Sequence, residues 1–435
     1  MGEYFPPPGF TTVRFDPNKM IYDQAVSMLQ NYIDKDLKYR DVPSHHDVSD
    51  MKIQQHPLIK DVLIIPNKSL QNIIPCTKEI IVDRACGMAV MRGAHVFAPG
   101  IISAPQNMNC GDKVSVHVDL EGKCLKGSLK YEGMKYFVGN GIAEFGRQQL
   151  FSSSSLNIQG IGIRMNEPIY LTPCLDQHSL PGAFFPQNLP SIVVGHVLNP
   201  PPDAIVLDMC ASPGGKSTHL CSLLKGKGHV IALDRSESKV KKILENGKRL
   251  GYSDMLHSFV ADSRNIHSET AIPLNDEKRS DFSPPYQSGS FTHILLDAPC
   301  SALGQRPRFP EYKIKSKSSI SSYPALQWQL FKTAIKLLQG GGTIVYSTCT
   351  TTFGENEKMV ENVLSEFSNM QLVEQEPHIG GFGRRSESRL SDDQLKKLQY
   401  FSMLPTEDEA VHPADRDTIG FFIAKFKKCE TVVAK

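Results

Sequence analysis

Apolar residues recur along this chain in two rhythms, and the change of rhythm divides it. In the second half they form short unbroken runs, each closed by a polar residue. Ile205-Val206-Leu207 ends at Asp208, His229 to Leu233 at Asp234, and Met255 to Val260 at Ala261-Asp262. Thr292 to Leu296 ends at Asp297, and Thr343 to Thr348 at Cys349. Runs without alternation predict strands buried on both faces, as in a parallel sheet. Between them the spacing turns helical, at Val240 to Leu250 and at Gln329 to Gln339, the latter closed by Gly340-Gly341-Gly342. Strand–helix alternation of this kind predicts an α/β, Rossmann-like sheet. Phe421 to Phe426 is expected to be its last strand, an antiparallel edge.

The first half reads differently. Phe10 to Phe15 and Leu58 to Pro66 predict strands around a helix spanning Tyr22 to Tyr32, with Ala25, Met28, Leu29 and Ile33 on one face. From residue 79 the segments shorten and glycine punctuates them: Glu79 to Val82, Cys86 to Met91, His95 to Ala98, the period-2 strand Val114 to Val118, and Tyr136 to Ala143. Short strands at such spacing predict a small β-barrel. The expected division is therefore 1–78 as a leading segment, 79–171 as the barrel, and 172–435 as the sheet domain. Residues 264–290 read as a polar surface loop and 380–410 as an irregular excursion.

Charge narrows the picture little. The formal net charge is +2, which gives no global case for nucleic acid. Two basic clusters, Lys239 to Arg249 and Arg306 to Lys317, read as solvated surface on their own. The 10 cysteines include no C-x-x-C pair, so neither a zinc site nor a disulfide frame is indicated. No apolar run reaches the ~18–20 residues of a membrane span, and no leader pattern stands at the start. A monomeric, metal-free, cytoplasmic protein with no membrane contact is expected.

The chemistry concentrates where the apolar runs end. Asp208-Met209-Cys210-Ala211-Ser212-Pro213-Gly214-Gly215-Lys216 joins a strand to a helix through a small-residue turn, a cradle of free N–H groups. A Walker A loop requires glycine where Cys210 stands, and G-x-G-x-x-G is absent. Asp234, closing the next strand, suits a ribose diol. With no pyrophosphate to hold, S-adenosylmethionine is the better ligand. Asp297 and Cys300 close one strand and Cys349 another, so two thiols meet at the sheet edge where ligands bind in open α/β folds. Two such cysteines are not explained by packing alone. Their positions do not decide which is the nucleophile.

Two resemblances follow from these residues. Arg92-Gly93-Ala94-His95-Val96-Phe97-Ala98-Pro99-Gly100-Ile101, with Gly111-Asp112 and Gly139-Asn140-Gly141, resembles a PUA domain, an RNA-binding module. That implies RNA contact for Arg92, with Lys123 and Lys126 in reach of phosphates. Asp208 to Lys216, Asp234, Asp262, Asp297-Ala298-Pro299-Cys300-Ser301, Ser347-Thr348-Cys349-Thr350 and Gly420-Phe421-Phe422 together resemble the Sun-domain RNA cytosine-5 methyltransferases. The barrel narrows this to the subgroup carrying such an insert. The resemblance implies Cys349 as nucleophile, Cys300 in product release, Asp297 at the base's N3, and Lys216 between cofactor and base. It implies Asp208, Cys210, Ala211, Ser212, Pro213, Gly214, Gly215, Lys216, Asp234, Lys239, Asp262 and Asp297 around S-adenosylmethionine. The implied substrate is tRNA, at the cytosine atop the acceptor stem beside the CCA end. Two departures from the family pattern are Ser212, where alanine is commoner, and Ala302-Leu303 in place of Gly-x. A DNA cytosine methyltransferase and an RNA-binding protein with a degenerate core are the competing readings. The second thiol and the barrel argue against the first, the intact reacting groups against the second.

Overall fold

The computed structural model describes residues 4–38, 40, 51–70, 72–152, 158–175, 180, 182–310, 317–385, 388–405 and 411–430. Lys313 and Lys315, from the second basic cluster, lie outside them.

An eight-stranded sheet organises the second half. Its order is Leu256–Val260, His229–Asp234, Ile205–Asp208, Phe291–Asp297, Leu338–Thr348, Phe421–Lys428, Met370–Leu372, with Leu398–Phe401 also on Phe421–Lys428. The first five are parallel and Phe421–Lys428 is antiparallel. The unbroken apolar runs are explained by burial on both faces. Val206, Val230, Leu295 and Val345 point into a core shared with the helices Leu189–Leu198, Gly215–Leu223 and Glu237–Arg249. Leu207, Ile231, Ile294 and Ile344 point into the opposite core, with helices Lys317–Leu337 and Glu357–Glu366. Ile205–Asp208 and Phe291–Asp297 are neighbours although the chain builds two other strands between them. That is the topological switch point, where a crevice opens at the carboxyl ends.

Two expectations fail here. Phe421–Lys428 is not an edge, because Met370–Leu372 and Leu398–Phe401 pair with its far side. Both strands are too short to impose a period on the sequence. The helix expected to end at Gln339 ends at Leu337, and Gly340 to Gly342 lie inside the strand Leu338–Thr348. The 380–410 stretch is partly regular, with a capped helix Asp392–Lys396 before Leu398–Phe401. Residues 386–387 and 406–410 of it lie outside the described residues. The 264–290 loop is polar but anchored by Tyr286, fully buried and edge-on to Phe291 at 5.0 Å.

Ahead of this sheet, Phe184–Pro186, Phe10–Phe15, Val62–Pro66 and Gln54–Gln55 form a second one, with Tyr22–Lys38 packed on it through Ala25, Leu29 and Ile33. Met28 is exposed rather than inward. The chain leaves this sheet at Pro66 and re-enters at Phe184, building a six-stranded sheet on the way. Its order is Val96–Phe97, Ile161–Pro168, Lys135–Ala143, Lys113–Asp119, Glu79–Val82, Ile101–Ser103. Cys86 to Met91, expected among the barrel's short strand-like segments, belongs instead to a helix, Arg84–Met91, capped by Asp83. Gly87 lets it lie on the sheet, since a Cβ there would stand 2.2 Å from Val118. Among the described residues no helix is long and apolar enough to cross a membrane.

Candidate active site

The strand Ile205–Asp208 delivers Asp208 fully buried to the head of the turn. Gly214 turns the chain at φ 101° and Gly215 opens the helix, where a Cβ would meet Phe185 at 2.9 Å. Arg14, buried in the N-terminal strand, donates to Thr218 Oγ1 at 3.1 Å and to Gly215 O at 3.3 Å, bracing that first helical turn. Ser217 Oγ donates to Asp208 Oδ2 at 2.7 Å. Oδ1 of Asp208 is buried without a partner, and burial pushes this carboxyl up to about 7. A buried unpaired acid oxygen on the wall of a cavity fits an ammonium group, such as the one on the methionine end of S-adenosylmethionine. The donor set fits that cofactor.

That cavity, of about 600 Å³, brings together Asp208, Cys210, Ala211, Ser212, Pro213, Gly215, Lys216 and Asp297 from the sheet domain. It also takes in Arg92, Ala94, His95 and Phe97 from the six-stranded sheet's side. Gly214, Asp234, Lys239, Asp262, Cys300, Cys349, Lys123 and Lys126 lie outside its lining. Asp234 closes its strand with Lys239 Nζ 3.4 Å from its carboxylate. Asp262 is occupied by the Arg264 guanidinium, whose hydrogen bonds hold its pKa down, a partner the sequence reading missed.

Beside the cradle, Lys216 Nζ donates to Asp297 Oδ2 at 2.7 Å and Ser347 Oγ to Oδ1 at 2.6 Å. Asp297 is therefore fixed from two adjacent elements. The thiols of Cys300 and Cys349 stand 3.4 Å apart. The Cys300 hydrogen bond, with a smaller contribution from Gln305, holds Cys349 at about 7 against the opposing effect of burial. The same bond, then burial, pushes Cys300 far above the ordinary thiol range. The shared hydrogen bond thus favours ionisation of Cys349 over that of Cys300. Close backbone approach makes this possible. Gly304 N donates to Cys349 O at 3.0 Å and Gly420 N to Gly304 O at 2.8 Å, and a Cβ on Gly304 would stand 2.0 Å from Gly420 O.

Beside the six-stranded sheet, Arg92 is exposed and its guanidinium has no partner among the described residues. Lys126 folds back onto Pro99 O and Ile101 O at 2.9 and 2.7 Å, and Lys123 pairs with Glu121 at 2.6 Å. Phe97, an exposed aromatic at the cavity mouth, went unremarked in the sequence. Arg306 does not belong to a basic surface: it is buried, donating to Pro6 O, Pro7 O and Thr418 O, and pairs with Asp417. Among the described residues, three clusters combine histidine with acidic or thiol side chains. In one, His196 and His219 both meet Asp61, at 2.8 and 3.0 Å.

Residues 195–427 match the family described as 16S rRNA methyltransferase RsmB/F. The chain is 43% identical over 98% of its length to the tRNA (cytosine(72)-C(5))-methyltransferase NSUN6 of Homo sapiens, covering 90% of that protein. It is 31% identical to the tRNA (cytosine(72)-C(5))-methyltransferase of Pyrococcus horikoshii over 81% of this chain and 76% of that one. The crystal structure of NSun6 from Pyrococcus horikoshii, solved with an analogue of S-adenosylmethionine, superposes with a TM-score of 0.72 at 27% identity, covering 98% of this chain and 92% of that one.

Proposed function

The chain belongs to the Sun-domain RNA cytosine-5 methyltransferases, S-adenosylmethionine-dependent enzymes, and from that premise we propose that it methylates C5 of cytosine 72 in tRNA, as its relatives' names state for them. The observation that carries the reading is the thiol pair, 3.4 Å apart beside the Lys216–Asp297 pair. Cytosine C5 is a poor nucleophile until a thiolate adds at C6 and turns it into an enamine carbon, which is covalent catalysis. Cys349, the thiol nearer to ionisation, makes that bond. Asp297, immobilised by Lys216 and Ser347, would bring a proton and donate it to N3 of the base as Cys349 adds at C6, so that the ring takes on no net charge. S-adenosylmethionine, held by Asp208, the Cys210 to Lys216 turn and Asp234, with Lys239 and Asp262 flanking the adenosine, supplies the methyl group. A base then removes the C5 proton so that Cys349 can leave, and Cys300, the protonated member of the pair, assists that release.

The target base must leave its stack to reach two thiols. A cytosine at a helix end is cheapest to extrude, which favours the acceptor stem. Residues 79–171 act as a PUA-type RNA-binding domain inserted between 1–78 and the catalytic domain 172–435. Arg92 on the shared cavity supports this, and Phe97 offers a face for an unpaired base. Lys123 and Lys126 reach phosphates when RNA displaces their present partners. The enzyme works as a cytoplasmic monomer on the acceptor stem and CCA end, by chemistry that needs no metal. Methylating a bulk tRNA pool and mapping 5-methylcytosine by bisulfite sequencing tests the whole reading. Modification at position 72 is expected. Marks elsewhere, or none, would send the substrate assignment back.

A further inference from the structure

Behind the thiols lies a charged group that the mechanism does not use. Glu355 ends the short turn Phe353–Glu355 and is 1% exposed. No lysine, arginine or histidine among the described residues pairs with it. Its charge is instead met by donors, two on each oxygen. Oε2 accepts from Ser301 N and from Gln327 Nε2, both at 2.9 Å; Oε1 accepts from Ser301 Oγ at 2.6 Å and Thr352 Oγ1 at 2.8 Å.

The donors are informative by position. Ser301 follows Cys300, and its Oγ also meets Thr350 Oγ1 at 2.7 Å, the residue after Cys349. Gln327 Nε2 bonds Pro299 O at 3.0 Å, immediately before Cys300. Next in sequence, Asn356 accepts from Thr348 Oγ1 at 2.6 Å and donates to Thr350 O at 3.0 Å, bracing both sides of Cys349. Both cysteine-bearing loops are therefore tied to one carboxylate and its neighbour. A buried acid without a cation is costly unless fully hydrogen-bonded. Packing alone would be served as well by an apolar residue.

We propose that Glu355 is a positioning residue that holds Cys300 and Cys349 at their working separation, so that the Cys300 thiol can hydrogen-bond the Cys349 sulfur. Ionisation of Cys349 then depends on Glu355 without contact between them. Facing Cys349 are the Cys300 thiol, Asp297, Lys216 and the Gln305 amide, and the Tyr346 hydroxyl donates to Glu355 O at 2.6 Å. Of these, the Cys300 bond does most to lower it.

The proposal rests on Cys349 as the reacting thiol, but its test needs no RNA. Iodoacetamide alkylation of Cys349, followed against pH by peptide mapping, is measured for the wild type, Glu355→Leu, Glu355→Gln and Ser301→Ala, each checked for S-adenosylmethionine binding by calorimetry. In Glu355→Leu the midpoint should rise by at least a unit, slowing alkylation near neutral pH by roughly tenfold, while cofactor affinity stays within about threefold. Methylation kcat should fall in parallel with little change in KM. Glu355→Gln should recover much of the midpoint, because the two hydroxyls on Oε1 can reverse roles and accept from an amide. Ser301→Ala, which keeps the acid but cuts its tie to Thr350, should give an intermediate shift even if Glu355→Leu does not fold. A wild-type midpoint in Glu355→Leu, or in Ser301→Ala where the leucine variant does not fold, overturns the proposal. Midpoints that shift as expected in an enzyme that methylates no tRNA would uphold the positioning and reject the functional reading instead.

Discussion

The carboxyl edge of the eight-stranded sheet and the region around the six-stranded sheet handle charge in opposite ways. At the sheet edge polar groups are consumed internally: Lys216 by Asp297, Asp297 again by Ser347, and Glu355 by four donors. Two oxygens there are left without a partner among the described residues, Asp208 Oδ1 on the cavity wall and Gln327 Oε1 behind the thiols. Around the six-stranded sheet the basic side chains are exposed and loosely committed, Lys123 to a neighbouring acid, Lys126 to carbonyls, Arg92 to nothing among the described residues. Exposed contacts of this kind contribute little to stability and are readily exchanged for phosphate. One region is fixed before its ligand arrives, as electrostatic preorganisation requires. The other is held ready to rearrange. On the proposed reading the chemistry resides at one and the grip at the other, so each should be open to damage without the other.

The largest expected effect strikes the fixed region. Cys349→Ala should abolish methyl transfer while keeping cofactor and tRNA binding, because no adduct can form. Cys300→Ala should form the adduct but release it slowly, accumulating a protein–RNA species that survives denaturing electrophoresis. An adduct retained in Cys349→Ala and lost in Cys300→Ala would exchange the roles. In the wild type, kcat/KM should rise with pH up to about 7 and then level, following Cys349 ionisation.

The unpaired oxygen of Asp208 gives the next effect. Burial pushes this carboxyl up to about 7 on its own, whereas an ammonium beside it favours the charged form. The folded-state pKa therefore falls on binding, and a proton must leave below about 7. Affinity for S-adenosylmethionine should be flat above that pH and weaken by up to roughly tenfold per unit below it. Calorimetry across pH 5 to 8 reads this directly. A flat profile would mean that Asp208 meets no cation.

The region around the six-stranded sheet should respond differently. Arg92→Ala with Lys126→Ala should weaken tRNA binding and lower the salt slope by roughly 1.5, at about 0.7–0.9 per lost phosphate contact. Cofactor affinity should not move. Binding measured across salt concentrations decides it, and an unchanged slope would return both residues to ordinary surface.

How much of this the sequence revealed follows from the same contrast. Strands buried on both faces wrote unbroken apolar runs, and their polar ends displayed Asp208, Asp234, Asp297, Cys300 and Cys349. The Arg84–Met91 helix was missed because it presses a glycine, not a bulky apolar residue, against Val118. Met370–Leu372 and Leu398–Phe401 were missed because strands so short leave no period. Glu355 was invisible for another reason. In the run Gly354-Glu355-Asn356-Glu357 it reads as a solvated acid before a helix, and only the tertiary fold brings Ser301 and Gln327 to it.

The smallest effect concerns a departure from the family pattern that has a visible backbone cost. Ala302 adopts φ 57°, the left-handed region, where the family's commoner glycine is unstrained. For a residue with a Cβ that conformation costs about 1–2 kcal/mol. Its methyl is exposed, so replacing it forfeits no packing. Glycine would return part of the gain, about 0.5–1 kcal/mol, through the larger freedom of the unfolded chain. Ala302→Gly should therefore stabilise the protein by roughly 0.5–1 kcal/mol, a rise of a degree or two in Tm by calorimetry. The position follows Cys300 and Ser301, and Ser301 remains tied to Glu355 and Thr350. kcat should then stay within about twofold, since relaxing Ala302 leaves the thiols where that clamp puts them. A lower Tm would mean that the alanine holds the turn in place, and a marked loss of kcat that the fixed region depends on this residue's stiffness as well.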